Sequence, residues 1–291
     1  MDDWTIIKIL SWTESYFKDH SIDSPRLTAE ILLAHCLCVK RLDLYLQYDR
    51  PLQENERLDF KALIKRRRNH EPVAYITGEK GFFEADFKVT PGVLIPRPDT
   101  ELIVEQAIKE INTLRKEDTS KTVLELGTGS GAIIVSLAKK VPGPLYFASD
   151  ISLSALSVAR ENSKKIVENR VLFFAGSWFS PLRNNQRFDL ILSNPPYIPF
   201  ADIQDLAPEI QKFEPLLALD GGEDGLDCFR SILRDASSHL VPGGTLLLEM
   251  GFDQKESMEK LFSSCPAYES IEFIRDLAGH NRVVKVKKSI D

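Results

Sequence analysis

Between Trp4 and His70 apolar residues recur at three- and four-residue spacing, the period of helices that bury one face. Ser24-Pro25 reads as an N-cap followed by proline at the first helical position, and Leu27, Ile31, Ala34 and Cys38 supply the apolar stripe behind it. A further helix is expected over 55–70, with Phe60, Leu63 and Ile64 facing inward. The pattern changes at Glu71-Pro72. Tyr75-Ile76-Thr77 and residues 83–89 read as two short strands around Gly78 and Gly81, a hairpin between two larger parts of the chain. The stretch Leu94-Ile95-Pro96-Arg97-Pro98-Asp99-Thr100-Glu101 is stiffened by its prolines, and Asp99 or Thr100 can cap a helix carrying Ile103, Ala107 and Ile111.

Beyond Lys121 short, nearly continuous apolar runs alternate with helix-length stretches. The runs at 123–126, 145–149, 171–175, 188–193 and 245–249 have the character of strands buried on both faces, and the alternation predicts a doubly wound parallel sheet of the α/β class. Two last runs, 271–275 and 283–286, predict a terminal hairpin. No internal repeat or low-complexity segment interrupts this pattern.

A length of 291 residues suits about two domains, and 43% hydrophobic with 27% charged residues is ordinary globular composition. The chain shows no leader-like start and no run of about 18 apolar residues, so a cytoplasmic protein is expected, without a membrane partner. A net charge of −6 disfavours affinity built mainly on phosphate contacts. The run Lys65-Arg66-Arg67-Arg68 is expected as a solvated helix end that complements the helix dipole. Cys36, Cys38, Cys228 and Cys265 contain no Cys-x-x-Cys pair and are expected as structural thiols. His20, His35, His70, His239 and His280 lack ligand spacing, so no metal is expected.

Chemistry concentrates at two places. The first is Gly127-Thr128-Gly129-Ser130-Gly131, between the 123–126 strand and a helix over 132–140. Glycine there permits a tight strand-to-helix turn and lets a ligand lie against bare backbone at the carboxyl ends of the strands. Asp150 ends the next strand, where a carboxylate can accept both hydroxyls of a ribose; its competing role is an N-cap for a helix opening at Ser152 or Ser154. Together they indicate a nucleoside-containing cofactor. The third glycine is out of place for a dinucleotide fingerprint, which tilts the reading toward methyl transfer.

The second place is Asn194-Pro195-Pro196-Tyr197, directly after the 188–193 strand. Two successive prolines leave the turn without competing N–H donors, so it presents carbonyl oxygens and the Asn194 amide oxygen to a planar NH2 group, with Tyr197 against its flat face. An NAD-dependent oxidoreductase would use the same sheet and Asp150 but leaves these four residues unexplained.

These motifs, with Pro72-Val73-Ala74-Tyr75-Ile76-Thr77-Gly78, the 94–101 stretch, Asp150-Ile151-Ser152, Glu214-Pro215, Gly221-Gly222 and Glu249-Met250-Gly251, resemble the peptide chain release factor glutamine methyltransferase family (PrmC/HemK) over nearly the whole chain. Asp99, where the family more often has glutamate, and Glu84-Ala85 are minor departures. The resemblance implies a class I S-adenosylmethionine-dependent methyltransferase domain at 96–291, preceded by a helical substrate-recognition domain at 1–72 and a β-hairpin linker at 73–95. It implies S-adenosyl-L-methionine as cofactor, with S-adenosyl-L-homocysteine as product. The implied substrate is the side-chain amide nitrogen (N5) of the glutamine in the Gly-Gly-Gln loop of bacterial class 1 release factors. Carried over by position, Gly127, Thr128, Gly129, Ser130, Gly131, Asp150, Trp178 and Asn194 would bind the cofactor, with Trp178 at the adenine. Asn194, Pro195, Pro196 and Tyr197 would form the substrate pocket, with Asn194, Pro195 and Tyr197 taking part in catalysis. A monomer is expected. The alternative is a nucleic-acid amino-group methyltransferase acting on adenine N6 or guanine N2, which the acidity and the lack of a basic recognition domain count against.

Overall fold

The structure is a computed structural model that describes residues 4–113 and 121–290. In chain order the first elements are α1 (Ile6–Asp19), α2 (Pro25–Cys36), α3 (Arg41–Leu46), α4 (Glu54–Arg68), α5 (Val73–Thr77), β1 (Glu79–Phe82) and β2 (Ala85–Lys88). Next come α6 (Glu101–Thr113), β3 (Thr122–Leu126), α7 (Ala132–Lys140), β4 (Leu145–Asp150), α8 (Leu153–Val167), β5 (Val171–Ala175) and β6 (Phe188–Ser193). The chain continues through α9 (Pro208–Phe213), α10 (Asp227–His239), β7 (Leu240–Glu249), α11 (Lys255–Ser263), β8 (Tyr268–Arg275) and β9 (Asn281–Lys288). Two compact units result, one of residues 1–79 with 207–213, the other of 80–206 with 214–291.

The first unit packs its helices around Phe17, Leu32, Leu33 and Phe60, all essentially inaccessible to water. Burying each such side chain contributes about 1.5–3 kcal/mol. In α2 the buried apolar residues are Ala29, Leu32, Leu33 and Ala34; Ala34 is buried as expected, but Leu27 and Cys38 are exposed, Ile31 is only half-buried, and α2 ends at Cys36. The difference follows from Glu30. This buried carboxylate is held by Arg26 at 2.6 Å, by Arg41 at 3.0 Å and by the Tyr45 hydroxyl, so a polar side chain takes an inward position. Ser24 precedes the helix as expected, but it sits at φ +47 and makes no side-chain cap. The basic run is not uniformly solvated. Arg66 pairs with Glu71, and Arg67 is buried, donating to the Glu71 carbonyl at 3.1 Å and pairing with Glu209 at 2.7 Å.

Tyr75-Ile76-Thr77, expected as strand, forms the single helical turn α5 instead. Pro72 opens it, Thr77 Oγ1 donates back to the Val73 carbonyl, and Gly78 closes it at φ +77. The hairpin lies just beyond, β1 with β2, and its turn falls on Phe83 and Glu84, both at positive φ.

In the second unit the main sheet among the described residues runs in the order β5-β4-β3-β6-β7-β9-β8. The five strands from β5 to β7 are parallel and β9 with β8 forms the antiparallel terminal hairpin. Alternate residues feed two cores. Val123, Leu190, Leu192 and Leu247 meet α6, α7 and α8 on one face, while Leu124, Ile191, Leu246 and Leu248 meet α10 and α11 on the other. β5 departs from the expected two-sided burial, because as the edge strand it leaves Leu172 exposed. β7 begins five residues earlier than expected, at Leu240.

Candidate active site

The carboxyl ends of β3, β4, β5 and β6 converge on one cavity of about 330 Å³, within the size range of small-molecule sites. Its wall contains Gly127, Thr128, Gly129, Ser130, Asp150, Trp178, Asn194 and Pro196. Gly131, Pro195 and Tyr197 are not among its lining residues.

The glycine turn is tied down on three sides. Thr128 N donates to the Ser149 carbonyl at 3.0 Å, Gly131 N to the Thr128 carbonyl at 2.8 Å, and the buried Asn162 side chain of α8 donates to the Ser130 carbonyl at 2.8 Å. Asn162 also pairs with both main-chain groups of Lys88, so β2 and the turn share one anchor. Two glycines differ in what surrounds them. A Cβ on Gly129 (φ +55) would meet nothing within 4 Å, leaving backbone open to a ligand, whereas one on Gly131 (φ +80) would press on Ala159 Cβ of α8 at 3.1 Å.

Asp150 takes two main-chain donors, Gly129 N on Oδ2 and Ser152 N on Oδ1, each at 2.8 Å. The helix cap itself is Ser152, whose Oγ accepts Ala155 N. Burial raises the Asp150 pKa, and the amide donors oppose that rise. Each carboxylate oxygen keeps a lone pair beyond the amide it already accepts. Trp178 stands at φ +48, an uncommon conformation for an aromatic residue, with its ring edge 3.9 Å from a Cβ built on Gly127.

Asn194 follows Ser193, whose parallel partner on β7 is Leu248, so the register sets Asn194 beside Glu249 at the ends of adjacent strands. Its Nδ2 donates to Thr100 Oγ1 at 3.2 Å. Tyr197 packs against the α10/α11 core, and burial raises its hydroxyl pKa. Its carbonyl accepts Gln254 Nε2 at 3.0 Å, while Gly221 and Gly225 crowd its backbone so closely that no Cβ fits at either position.

Several groups at the site were not assigned a role from the sequence. Glu125 is fully buried beneath the turn and accepts the Thr128 hydroxyl; burial lifts its pKa from 4.5 to about 8. Glu249 is lifted to about 7, again mainly by burial. Arg97 lines the cavity and pairs with buried Glu214 at 2.5 Å. Cys228 also lines it, with its thiol pushed up to about 11 by burial, which keeps it protonated and a poor nucleophile. The one available sequence signal was an acid or base inside an otherwise apolar or proline-rich run. Among the described residues no cluster of His, Cys, Asp and Glu could hold a metal ion.

A family model described as the PrmC N-terminal domain matches residues 8–78, and one described as the methyltransferase small domain matches 108–210. A protein of Geobacter sulfurreducens named release factor glutamine methyltransferase is 45% identical over 260 residues, covering 89% of each chain. One of the same name from Rhodopirellula baltica is 38% identical over 287 residues, 98% of this chain and 97% of its own. Among solved structures, the hMettl16 catalytic domain in complex with a MAT2A 3′UTR hairpin aligns at a TM-score of 0.54, with 13% identity, covering 70% of this chain and 75% of that one. A methyltransferase from Pyrococcus furiosus aligns at 0.50 with 21% identity, covering 72% and 92%. The structural likeness shows the class I methyltransferase fold.

Proposed function

The chain belongs to the release factor glutamine methyltransferase family, and on that premise we propose that it moves a methyl group from S-adenosyl-L-methionine to N5 of the glutamine in the Gly-Gly-Gln motif of bacterial class 1 release factors. The observation that carries this reading is Asn194: it lines the cavity beside the glycine turn with its Nδ2 already committed to Thr100. Its Oδ1 is thereby left as an acceptor for an incoming NH2 group.

The cavity suits the cofactor. Gly129 leaves the space a nucleoside needs against backbone, Asp150 retains lone pairs for ribose hydroxyls, and Trp178 offers an aromatic surface for adenine. Gly127, Thr128 and Ser130 line the same pocket, while Gly131 acts by closing the turn onto α8. When bound, S-adenosyl-L-methionine supplies an electrophilic methyl on a sulfonium and leaves as S-adenosyl-L-homocysteine.

An amide nitrogen is a weak nucleophile because its lone pair is shared with the carbonyl. The residues' contribution is therefore alignment, together with acceptors for the N–H bonds that become more acidic as nitrogen gains positive charge. Asn194 Oδ1 and the Pro195 carbonyl accept those two hydrogens, Pro196 supplies the wall beside the amide, and Tyr197, packed against the α10/α11 core, holds the turn in place. The first unit, with exposed Trp12, Leu42, Tyr45, Leu46 and Leu58, grips the protein substrate. The chain acts as a monomer in the cytoplasm; among its described residues no helix is long and apolar enough to cross a membrane.

The test offers labelled S-adenosyl-L-methionine with a release factor, its variant lacking the Gly-Gly-Gln glutamine, duplex DNA and ribosomal RNA. Label on the intact release factor alone is expected. Label on nucleic acid alone would transfer the same pocket to an exocyclic amino group and overturn the substrate assignment.

A further inference from the structure

We propose that Gln254 is a positioning residue that sets the direction of the 194–197 turn, and with it the acceptors offered to the substrate NH2; this rests on the reading of Asn194 Oδ1 and the Pro195 carbonyl as those acceptors. Pro195 and Pro196 have no N–H, so the middle of the turn has no backbone donor and its position is set by what holds its two ends. The Asn194 end continues from β6, with Nδ2 on Thr100 Oγ1. The Tyr197 end leaves the sheet, and Gln254 holds it. Gln254 Nε2 donates to the Tyr197 carbonyl at 3.0 Å and to the Gly225 carbonyl at 3.2 Å, while Gln254 Oε1 accepts Gly251 N at 2.9 Å. The residue is buried, and both amide hydrogens and the amide oxygen have partners. A flipped amide would set Oε1 against two carbonyl oxygens and the NH2 group against an N–H, so a single orientation fits.

The fold brings three separate stretches of the second unit to this one amide. Tyr197 comes from the turn after β6, Gly225 from the segment before α10, and Gly251 from the end of β7, with Gln254 immediately before α11. The next residue is held as well: Ile198 N donates to the Leu219 carbonyl at 3.1 Å, and Gly221 N donates to the Ile198 carbonyl at 2.8 Å. The 215–225 strap therefore has two faces. Leu217, Ala218 and Asp220 line the cavity, and its glycines lie directly against the turn. A Cβ on Gly221 would come within 2.8 Å of Tyr197 Cα, and one on Gly225 within 2.4 Å of the Tyr197 carbonyl oxygen and 2.8 Å of Gln254 Nε2. Contacts this close transmit displacement, so a shift of the Gln254 amide moves Tyr197 with it.

Two residues and two stiff proline rings separate the Tyr197 carbonyl from the Pro195 carbonyl, so a turn released at Tyr197 tilts the acceptor. Transfer to a weak nucleophile depends on alignment, and a misplacement of about 1 Å costs roughly a hundredfold in rate. The cofactor side of the cavity is anchored elsewhere, through Ser149 and Asn162 to the glycine turn. Loss of the Gln254 bonds therefore acts on methyl transfer and leaves cofactor binding in place.

The experiment measures kcat and KM for methyl transfer to a full-length release factor, Kd for S-adenosyl-L-homocysteine by calorimetry, and melting temperature. The proteins compared are wild type, Gln254→Glu, Gln254→Met and Leu233→Ala. Gln254→Glu keeps the length and an acceptor for Gly251 N but loses the donors to Tyr197 and Gly225, and Gln254→Met loses all three bonds. Leu233→Ala truncates a buried side chain of α10 and serves as a measure of plain destabilisation. Both Gln254 variants should lower kcat roughly ten- to a hundredfold while KM and Kd stay within about twofold. Leu233→Ala should melt earlier and keep kcat within about twofold of wild type. Wild-type kcat in the Gln254 variants, a Kd that weakens in step with kcat, or the same kcat loss in Leu233→Ala would overturn the proposal. If Gln254→Glu does not fold, Gln254→Met decides alone. If wild type methylates nucleic acid and no release factor, the functional reading fails, and the same variants measured on that acceptor still decide this one.

Discussion

The main-chain N–H of Gly129 donates to Oδ2 of Asp150 at 2.8 Å, joining the glycine turn after β3 to the end of β4. The carboxylate proposed for the ribose and the glycine backbone are therefore one assembly, and a change in the carboxylate alters both.

Asp150→Asn keeps the size of the side chain but turns one acceptor into a donor that must face an N–H. Charge-assisted hydrogen bonds contribute about 1.5–3 kcal/mol, so cofactor affinity should fall at least about tenfold. Titration calorimetry with S-adenosyl-L-homocysteine measures this, and unchanged affinity would remove Asp150 from the site.

Gly129→Ala and Gly131→Ala should separate binding from folding. Both put alanine at positive φ, a cost of about 1–2 kcal/mol. Gly129→Ala adds a methyl into open cavity, so cofactor affinity should suffer most. In Gly131→Ala the methyl meets Ala159 at 3.1 Å, so thermal stability should drop further than in Gly129→Ala. Thermal melts with and without cofactor make the comparison.

Glu125 gives the free protein a pH signature. Its pKa rises from 4.5 to about 8 on folding, so between those values the folded state holds a proton that the unfolded state has lost. Its contribution to stability is therefore full below about pH 4.5 and declines as pH rises toward about 8. Glu125→Gln should flatten that decline in denaturant titrations, leaving the variant relatively more stable at pH 8 than at pH 5. A variant whose stability relative to wild type is the same at both pH values would contradict this.

Removing residues 1–70 should weaken release-factor binding far more than cofactor binding if the first unit serves the protein substrate. Parallel binding measurements on the remaining chain check this, and equal loss of both would mean general unfolding.

How much of this could be read without coordinates depended on whether neighbours in sequence were also neighbours in space. The runs at 171–175 and 188–193 match β5 and β6 to the residue, because apolar runs bounded by turn residues carry their own limits. Gly127, Asp150, Trp178 and Asn194 meet in one cavity because each lies at a strand's carboxyl end, where a doubly wound sheet opens. Local propensity misled at Tyr75-Ile76-Thr77, three strand-favouring residues that Pro72 and Gly78 close into one helical turn. The α2 stripe was displaced by Glu30, whose partners Arg41 and Tyr45 lie beyond the end of that helix. The neighbourhood of Glu249 and Asn194 was not legible either, since only the parallel register of β6 and β7 brings the two strand ends side by side.

The central claim is tested most directly by where the methyl group lands. Fragmentation mass spectrometry of a release factor incubated with the enzyme and S-adenosyl-L-methionine should place one added methyl on the glutamine side chain of the Gly-Gly-Gln motif. With Asn194→Ala, folded by its melting curve, the modification should fall about a hundredfold or more in rate. A methyl on any other residue, or undiminished modification by the Asn194 variant, would contradict the account.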